Sequence, residues 1–502
     1  MSRSGYIKRK SRNTSPIAAV GRFGFVAEHE LWNSEQRDAV AEIKAIIAEQ
    51  NLHSVRVCYG DQHGSVKAKV LTIDDFLQAL NNGHGFNTGP ISMDTSSTVF
   101  LPIFSAEGGL GAEELGGGGD MIVVPDPLTF RVLPWAEKTG WILSDLYTVS
   151  GARVPFDTRY VYQQALAKLR DAGYEYIAGL EVEFYIFRIL DPKLRLEESG
   201  WPPDAPEVTA IGHGYQYTGE THLDEINEIV EYLRSNLVAL GLPLRSIEDE
   251  WGPGQTEITF DPEIGIDPAD HMLLFRSAVK QLCRRLGLVA TFMCKPGVPN
   301  CFTSGWHLHQ SLQVAETGKS AFMDGGGDAL ISDVGKHFMG GLLEHANACT
   351  AFAIPTITGY KRMIDSPLAP NRALWAHQNR AAFLRLIGGG ADPATHIENR
   401  SGDPAANPYL FMASQIFAGL DGINNKTDPG APRNDDPYAQ VDVPHLPVTL
   451  TEATKALDAS SLFRREMGDH FIDYYLAMKR FELGRFNAFV TDWEHREYLE
   501  AF

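Results

Sequence analysis

Cysteine is scarce in this chain. There are five among 502 residues (Cys58, Cys283, Cys294, Cys301 and Cys349), and no two form a CxxC pair. Few and odd in number, they argue against a disulfide scaffold and for a reducing compartment. No apolar run approaches the ~18 residues of a bilayer-spanning helix, so no membrane partner is expected. Positive charge is under-represented: 44 Lys and Arg face 64 Asp and Glu, for a formal charge of −20. That balance disfavours nucleic acid and anionic lipid alike. No GxxxxGK[ST] loop occurs, which excludes a P-loop ATPase. Repeats of 20 to 50 residues and low-complexity tracts are absent too. The opening MSRSGYIKRKSRN is basic but lacks the apolar stretch of a secretory signal. It predicts a disordered arm over residues 1–25 and a cytoplasmic protein.

What is present suffices for a large interior, since 44% of the residues are hydrophobic. The length suits one large enzyme core with an appended module. Ser34 is placed to cap a helix over 34–50, with Val40, Ile43, Ile46 and Ile47 on one face. Strands are expected over 53–59 and 65–72, joined by a polar turn at 60–64, and then a short helix over 73–80. These elements predict a small α+β domain over residues 26–135. Beyond it, helical patterns at 156–172, 222–240, 267–286 and 333–351 alternate with strand-like runs. The runs lie at 175–189, 244–247, 256–260, 289–293 and 306–313. They predict a large α+β domain over 136–502, whose antiparallel sheet presents side chains to a cavity. The glycine clusters at 108–119 and 388–390 read as mobile loops. The helical segment 462–502 is expected to pack against a neighbouring subunit.

Three constellations carry chemistry. In GLEVEFYIFR at 179–188, Glu181 and Glu183 leave one face of a strand. Their apolar neighbours imply burial, and buried paired carboxylates require a cation or a proton. Next, EDEWGPGQTE at 248–257 reads as an acidic turn at Glu248 and Asp249, but Pro-Gly folds Glu257 back towards Glu250. In GWHLH at 305–309, His307 and His309 share a strand face. Carboxylates with one imidazole suit Mg²⁺ or Mn²⁺ better than zinc. Finally, Lys361, Arg362, Arg372, Arg380, Arg385 and Arg400 crowd into forty residues of an acidic protein. NRAAFLR at 379–385 is apolar between its arginines and reads as a buried strand. Guanidinium groups beside metal-ligand carboxylates are what phosphoryl transfer needs.

In order along the chain, GLEVEF, EWGPGQTEI, ATFMCKPG, SGWHLHQSL, GYKRM, APNRALWAHQNRAAFLR and IENRSGDPAANPYL resemble the glutamine synthetase family. The likeness runs from about Ser34 to the closing VTDWEHREYLEAF. It implies that family's fold, with a β-grasp-like N-terminal domain and a catalytic domain built on an antiparallel sheet. It also implies two divalent cations, Mg²⁺ or Mn²⁺, with ATP as co-substrate. One cation would take Glu183, Glu250 and Glu257; the other would take Glu181, Glu398 and His307. His309 and Ser311 resemble nucleotide contacts, and Arg380 and Arg385 resemble the arginines that steady the phosphates. Arg362 and Arg400 resemble the pair that binds the glutamate carboxylate and clamps the acyl phosphate. L-Glutamate would also meet Glu183, Thr303 and His307. Members of the family form two stacked six-membered rings, which implies a homododecamer whose sites are completed by a neighbour's small domain.

The resemblance breaks at the amine. Ammonium-using members carry a Glu six residues after the Arg matching Arg362; here stands Leu368. Their small-domain Asp is matched by either Asn87 or Asp94, both upstream of Asp120, and spacing does not choose between them. Loss of the flap carboxylate removes a cation's counter-charge and a base. Alkylamines are protonated at neutral pH, with pKa near ~10.4 as for a Lys side chain, so a weakly basic amine that arrives neutral is the more natural nucleophile. The expectation is an ATP-dependent glutamate–amine ligase acting on an aromatic or short alkyl amine. It is most similar to the γ-glutamylanilide and γ-glutamylalkylamide synthetase branch. Polyamine or ethanolamine ligation, ordinary glutamine synthesis and a non-catalytic relative are the alternatives. His396 stands where a nucleotide-contacting Arg is common. Tyr438 lies near where some bacterial members are adenylylated, in different surroundings, and no regulation is assigned to it.

Overall fold

The structure, a computed structural model, describes residues 24–105, 113–324, 329–365 and 368–502. Most of the expected N-terminal arm and part of the first glycine cluster lie outside the described residues; Phe25, placed in that arm, opens a short helix, Phe25–Glu28. Two sheets organise the rest. The first contains β1 (Ser54–Gly60), β2 (Val66–Thr72), β3 (His84–Asn87), β4 (Asp120–Pro125), β5 (Arg131–Val132) and β6 (Thr139–Tyr147). The second runs from β7 (Tyr174–Asp191), β8 (Glu207–Ala210), β9 (Leu244–Asp249), β10 (Gln255–Phe260) and β11 (Glu263–Ile264) to β12 (Leu288–Thr291), β13 (Trp306–Val314), β14 (Trp375–His377), β15 (Leu384–Ile387) and β16 (His396–Gly402).

The first sheet has the order β2-β1-β6-β4-β3, with β1 and β6 parallel. Its central strand therefore comes from beyond residue 135, where the domain was expected to end. The reason is visible in TGWILSDLY, which is buried at all but its first residue, as a strand enclosed on both faces must be. The helix Ser34–Glu49 is capped one residue earlier than expected. Asn33 accepts from the Gln36 amide at 2.9 Å, and the Gln36 side chain accepts from Asn33 at 3.0 Å, a reciprocal pair that Ser34 has no Gln or Glu to form. Ile43, Ile46 and Ile47 are buried as the pattern demanded.

The second sheet has the order β14-β15-β16-β13-β7-β10-β9, antiparallel except for the β14–β15 pair. Its eighteen-residue strand β7 also pairs with β8, β11 and β12. Several expected elements are adjusted. The helix expected over 222–240 is two, Glu220–Glu225 and Asn227–Ala239, and that over 333–351 breaks at His345. Glu248 and Asp249 close strand β9 and are not a turn. The strand expected over 379–385 begins only at Leu384, because the Asn379 side chain accepts from the Ala381 amide at 3.0 Å and turns the chain.

Two buried connections tie the first sheet and its surroundings to helices from later in the chain. Arg159 donates to Asp126 at 2.8 Å, to Asp145 at 2.6 Å and to Asp270 through Nε at 3.0 Å and Nη2 at 2.8 Å. From the far end of the chain, Tyr474 on the helix Asp469–Ala488 enters the core around the first sheet. Its ring lies 4.5 Å from Phe156, and its hydroxyl donates to the Ile91 carbonyl at 2.5 Å. No helix among the described residues is long and apolar enough to cross a membrane.

Candidate active site

Register alone assembles the site. Side chains two apart on a strand share a face, so β7 offers Glu181 and Glu183 together. Across the sheet, Glu183 stands opposite Glu257 on β10, and Glu181 stands opposite His307 on β13. Glu257 in turn faces Glu248 on β9; His309 faces Glu398 on β16, and Glu398 faces Arg385 on β15. Glu250 follows β9 into a tight reversal, where its amide donates to the Gln255 carbonyl at 3.0 Å. Gly254 makes this turn with φ +79°, and a Cβ there would meet the Ile186 carbonyl oxygen at 2.5 Å. Only glycine fits both conditions.

The charges interlock. His307 Nδ1 lies 2.5 Å from Glu181 Oε1, and His309 Nε2 lies 3.2 Å from Glu181 Oε2. Glu398 is buried between Arg400, which bonds it directly, and Arg385 at 3.1 Å. Glu183 accepts from the Gly305 amide at 2.9 Å and from Gln255 at 3.1 Å. Burial would raise the Glu181 carboxyl, but His307 and His309 overcome it and hold it well below the usual range. Glu398 is likewise held low, Arg400 and His307 outweighing burial. The opposite happens on β9 and β10. Burial, then Glu181 and Glu183, push Glu257 up to about 10; burial and Glu183 push Glu250 up to about 8.

These residues fit divalent cations. Ligand atoms of Glu181, His307 and Glu398 lie within 4.8 Å of one another, as do those of Glu183, Glu257 and His307, and those of Glu248, Glu250 and Glu257. The His307 Nε2 atom is buried without a hydrogen-bond partner, 3.9 Å from Glu183 Oε1. Oxygen-rich donors with one imidazole favour Mg²⁺ or Mn²⁺. The grouping differs from the expected set in two respects: Glu183 and Glu257 meet His307 and not Glu250, and Glu250 meets Glu257 in company with Glu248, expected in an acidic turn. The i, i+2 spacing of Glu248 and Glu250, repeating that of Glu181 and Glu183, was the available signal.

A cavity of about 640 Å³ opens over this floor. Glu181, Glu183, Glu250, Glu257 and His307 line it, as do Arg362, Arg380, Arg385, Arg400, Thr303 and Leu368. Arg362 is buried, donating to the carbonyls of Arg400, Ser401 and Gly402 at 3.3, 3.4 and 3.0 Å. Gly305 permits that approach, since a Cβ there would sit 2.5 Å from an Arg362 nitrogen. Glu398 lies behind the lining, while His309 and Ser311 continue the same face of β13. His309 Nδ1 reaches His396 at 3.0 Å.

The small-domain candidates do not join this cavity within one chain. Asn87 and Asp120 are register partners on β3 and β4, and the Asn87 side chain accepts from Gly89 at 2.9 Å. Asp94 is buried, accepts from Ser96 and Thr98 at 2.8 to 3.0 Å, and is ion-paired with Arg485. One of its oxygens accepts from its own loop and the other pairs with Arg485. Sequence reading also missed an aromatic wall. Tyr217, Trp251 and Phe302 line the cavity from three separate loops, and no local pattern connects them.

A family profile described as glutamine synthetase, catalytic domain, matches residues 155–498. The chain belongs to the glutamine synthetase family. It is 43% identical over 499 residues to a γ-glutamylanilide synthase from an Acinetobacter species, covering 95% of this chain and 99% of that one. To a glutamine synthetase from Thermotoga maritima it is 32% identical, over 92% and 99% of the two chains. To the γ-glutamylethanolamide synthetase GlnA4 of Streptomyces coelicolor it is 29% identical, over 92% and 96%. A solved GmaS–ADP complex superposes with a TM-score of 0.77 at 27% identity, covering 91% of this chain and 99% of that one. As a glutamine synthetase family member the chain is a carbon–nitrogen ligase joining glutamate to an amine. Its family uses ATP and divalent metal.

Proposed function

We propose that the chain ligates the γ-carboxylate of L-glutamate to an organic amine, aromatic or short alkyl, through a γ-glutamyl phosphate formed with ATP. The observation that carries this reading is Leu368: an isobutyl group, 58% exposed, lines the cavity where ammonium-using relatives place a carboxylate. Apolar surface there favours a larger substituent by about 25 cal/mol per Å² covered.

Glutamate first needs activation, because a carboxylate resists nucleophiles and phosphate leaves far more readily than oxide. Glu181, His307 and Glu398 would hold one cation and Glu183, Glu250 and Glu257, with Glu248 beside them, the other; such ions supply charge neutralisation for the phosphates. Arg380 and Arg385 are assigned to the transferring phosphate, with His309 and Ser311 towards the nucleotide. Arg362, fixed by three carbonyls, and Arg400, braced on Glu398, are assigned to the glutamate carboxylate and the acyl phosphate. Thr303 and His307 complete the glutamate contacts. In the second step the amine nitrogen bonds to the γ-carboxyl carbon, the bond from that carbon to the phosphate oxygen breaks, and the nitrogen loses a proton to phosphate or water.

Polyamine or ethanolamine ligation would call on further acidic groups, Asp94 or the Glu113–Glu114 loop; Asp94 is paired with Arg485, and Glu114 accepts from Ser150. The reading places the enzyme in the cytoplasm as a dodecamer of two six-membered rings, with Asn87 and Asp120 presented to a neighbour's cavity. Exposed Phe489, Trp493 and Phe502 near the C-terminus support subunit contact. The test is glutamate- and ATP-dependent phosphate release with ammonium, aniline, isopropylamine, ethanolamine and putrescine. Best turnover with ammonium overturns the assignment.

A further inference from the structure

We infer that Tyr217, Trp251 and Phe302 form the wall that receives the amine's substituent and selects an arylamine. The inference rests on the proposed ligase reading and names the acceptor class at that same site. All three rings line the cavity that holds the carboxylate cluster and Leu368. The Trp251 centroid lies 6.3 Å from Tyr217 and 6.5 Å from Phe302, tilted by 46° and 49°. These distances sit at the outer end of aromatic contact, so the rings do not cover one another's faces. Trp251 and Tyr217 stay 42% and 53% exposed, and Leu368, in the same lining, 58%. An apolar surface of this kind inside an otherwise ionic cavity is a place for a ring to lie.

The wall is built in advance of its ligand. Tyr215 stands edge-on to Trp251, and its amide donates to the Trp251 carbonyl at 2.7 Å. The Tyr215 hydroxyl donates to the Asn300 carbonyl at 2.6 Å, tying this side to the loop that carries Phe302. On that loop the Phe302 amide donates to the Tyr185 hydroxyl at 2.6 Å, and its carbonyl accepts from the same hydroxyl at 3.1 Å. Little ordering remains to be done on binding. The wall also adjoins the reacting end, because the Trp251 amide donates to Glu250 at 3.1 Å.

Aromatic faces attract alkylammonium ions as well as arenes, so the rings alone do not choose. Protonation does. With Leu368 in place of the flap carboxylate, the side chain at that position offers an alkylammonium ion no base. An arylamine, whose nitrogen lone pair is delocalised into the ring, is neutral near pH 7 and offers a flat face to the wall. It meets both conditions at once.

The test compares kcat/KM for aniline and isopropylamine in the full chain and in Trp251→Leu, Phe302→Leu and Trp251→Phe. Both amines meet the same enzyme population, so their ratio does not depend on how much of a variant folds. The wild type is expected to prefer aniline. In Trp251→Leu and Phe302→Leu the aniline-to-isopropylamine ratio should fall by roughly tenfold, mostly through KM for aniline, and Trp251→Phe should restore most of it. An unchanged ratio, a wild-type preference for isopropylamine, or loss of turnover with every amine in both Leu variants overturns the inference while leaving the ligase reading intact. Failure of the wild type to release phosphate with any amine overturns the ligase reading itself.

Discussion

His307 on β13 and Glu181 on β7 face each other at 2.5 Å through Nδ1, and this contact turns the opposite ring nitrogen towards Glu183. One imidazole thus stands between two carboxylate groups, with one nitrogen engaged and the other buried and unbonded. Replacing His307 by Ala should therefore weaken divalent-cation binding by at least the ten- to hundredfold that loss of an orienting partner costs, on the order of 10 to 100. Calorimetric titration with Mn²⁺ checks this; an unchanged affinity would remove His307 from the metal centre.

Leu368 is the position at which a carboxylate should re-open the site to ammonium. In Leu368→Glu, kcat/KM for ammonium relative to aniline should rise on the order of tenfold, the equivalent of about 1.4 kcal/mol, which is within reach of one hydrogen bond to a charged group. Steady-state kinetics with both amines decides it. A fixed ratio would place amine selection elsewhere.

Arg159 compensates three buried aspartates at once. Its replacement by Ala takes that cation from Asp126 and Asp270, while Asp145 keeps Arg153 at 3.0 Å, and breaking a buried ion pair from one side costs about 3–5 kcal/mol. Denaturant unfolding of Arg159→Ala should show a loss of that size. A change below about 1 kcal/mol would mean the aspartates find another partner.

His63 gives the fold a pH dependence of definite sign. Burial chiefly, and Lys479 with it, lower its pKa below the ordinary 6.5, although Asp61, Glu482 and the Met93 carbonyl pull the other way. The unfolded chain then takes up a proton near pH 6.5 that the folded chain refuses. Stability from this group is present above that pH and lost as pH falls through the window below it. Thermal unfolding at pH 7.5 and 5.5 should show the drop, and His63→Gln should flatten it. An identical drop in the variant would assign the effect to other groups.

Much of this arrangement was legible in the amino-acid order, and the reason is periodicity. Glu181 and Glu183 announce themselves by alternation within one strand, and His307 and His309 do the same. The grouping of Glu181 with His307 and Glu398 is non-local, and only resemblance to a family suggested it; the pairing of Glu398 with Arg385 had no signal at all. Glu248 was missed because a strand end followed by Trp-Gly-Pro-Gly looks like a turn from its first acidic residue. β6 lies beyond the boundary expected at residue 135, because its parallel pairing with β1 depends on a crossover that no local signal encodes. The wall of Tyr217, Trp251 and Phe302 had no signature, since each ring sits in its own loop and tertiary folding alone brings them together.

Tyr474 lodges in a core whose other members come from the first third of the chain; its hydroxyl bond to Ile91 spans 383 positions. During synthesis, then, the leading domain emerges with a gap that only a helix near the tail can fill. Until the ribosome delivers that helix, the early sheet waits with an apolar hole, exposed to chaperones and to sticking. Trimming the tail would thus wound the opposite end of the polypeptide.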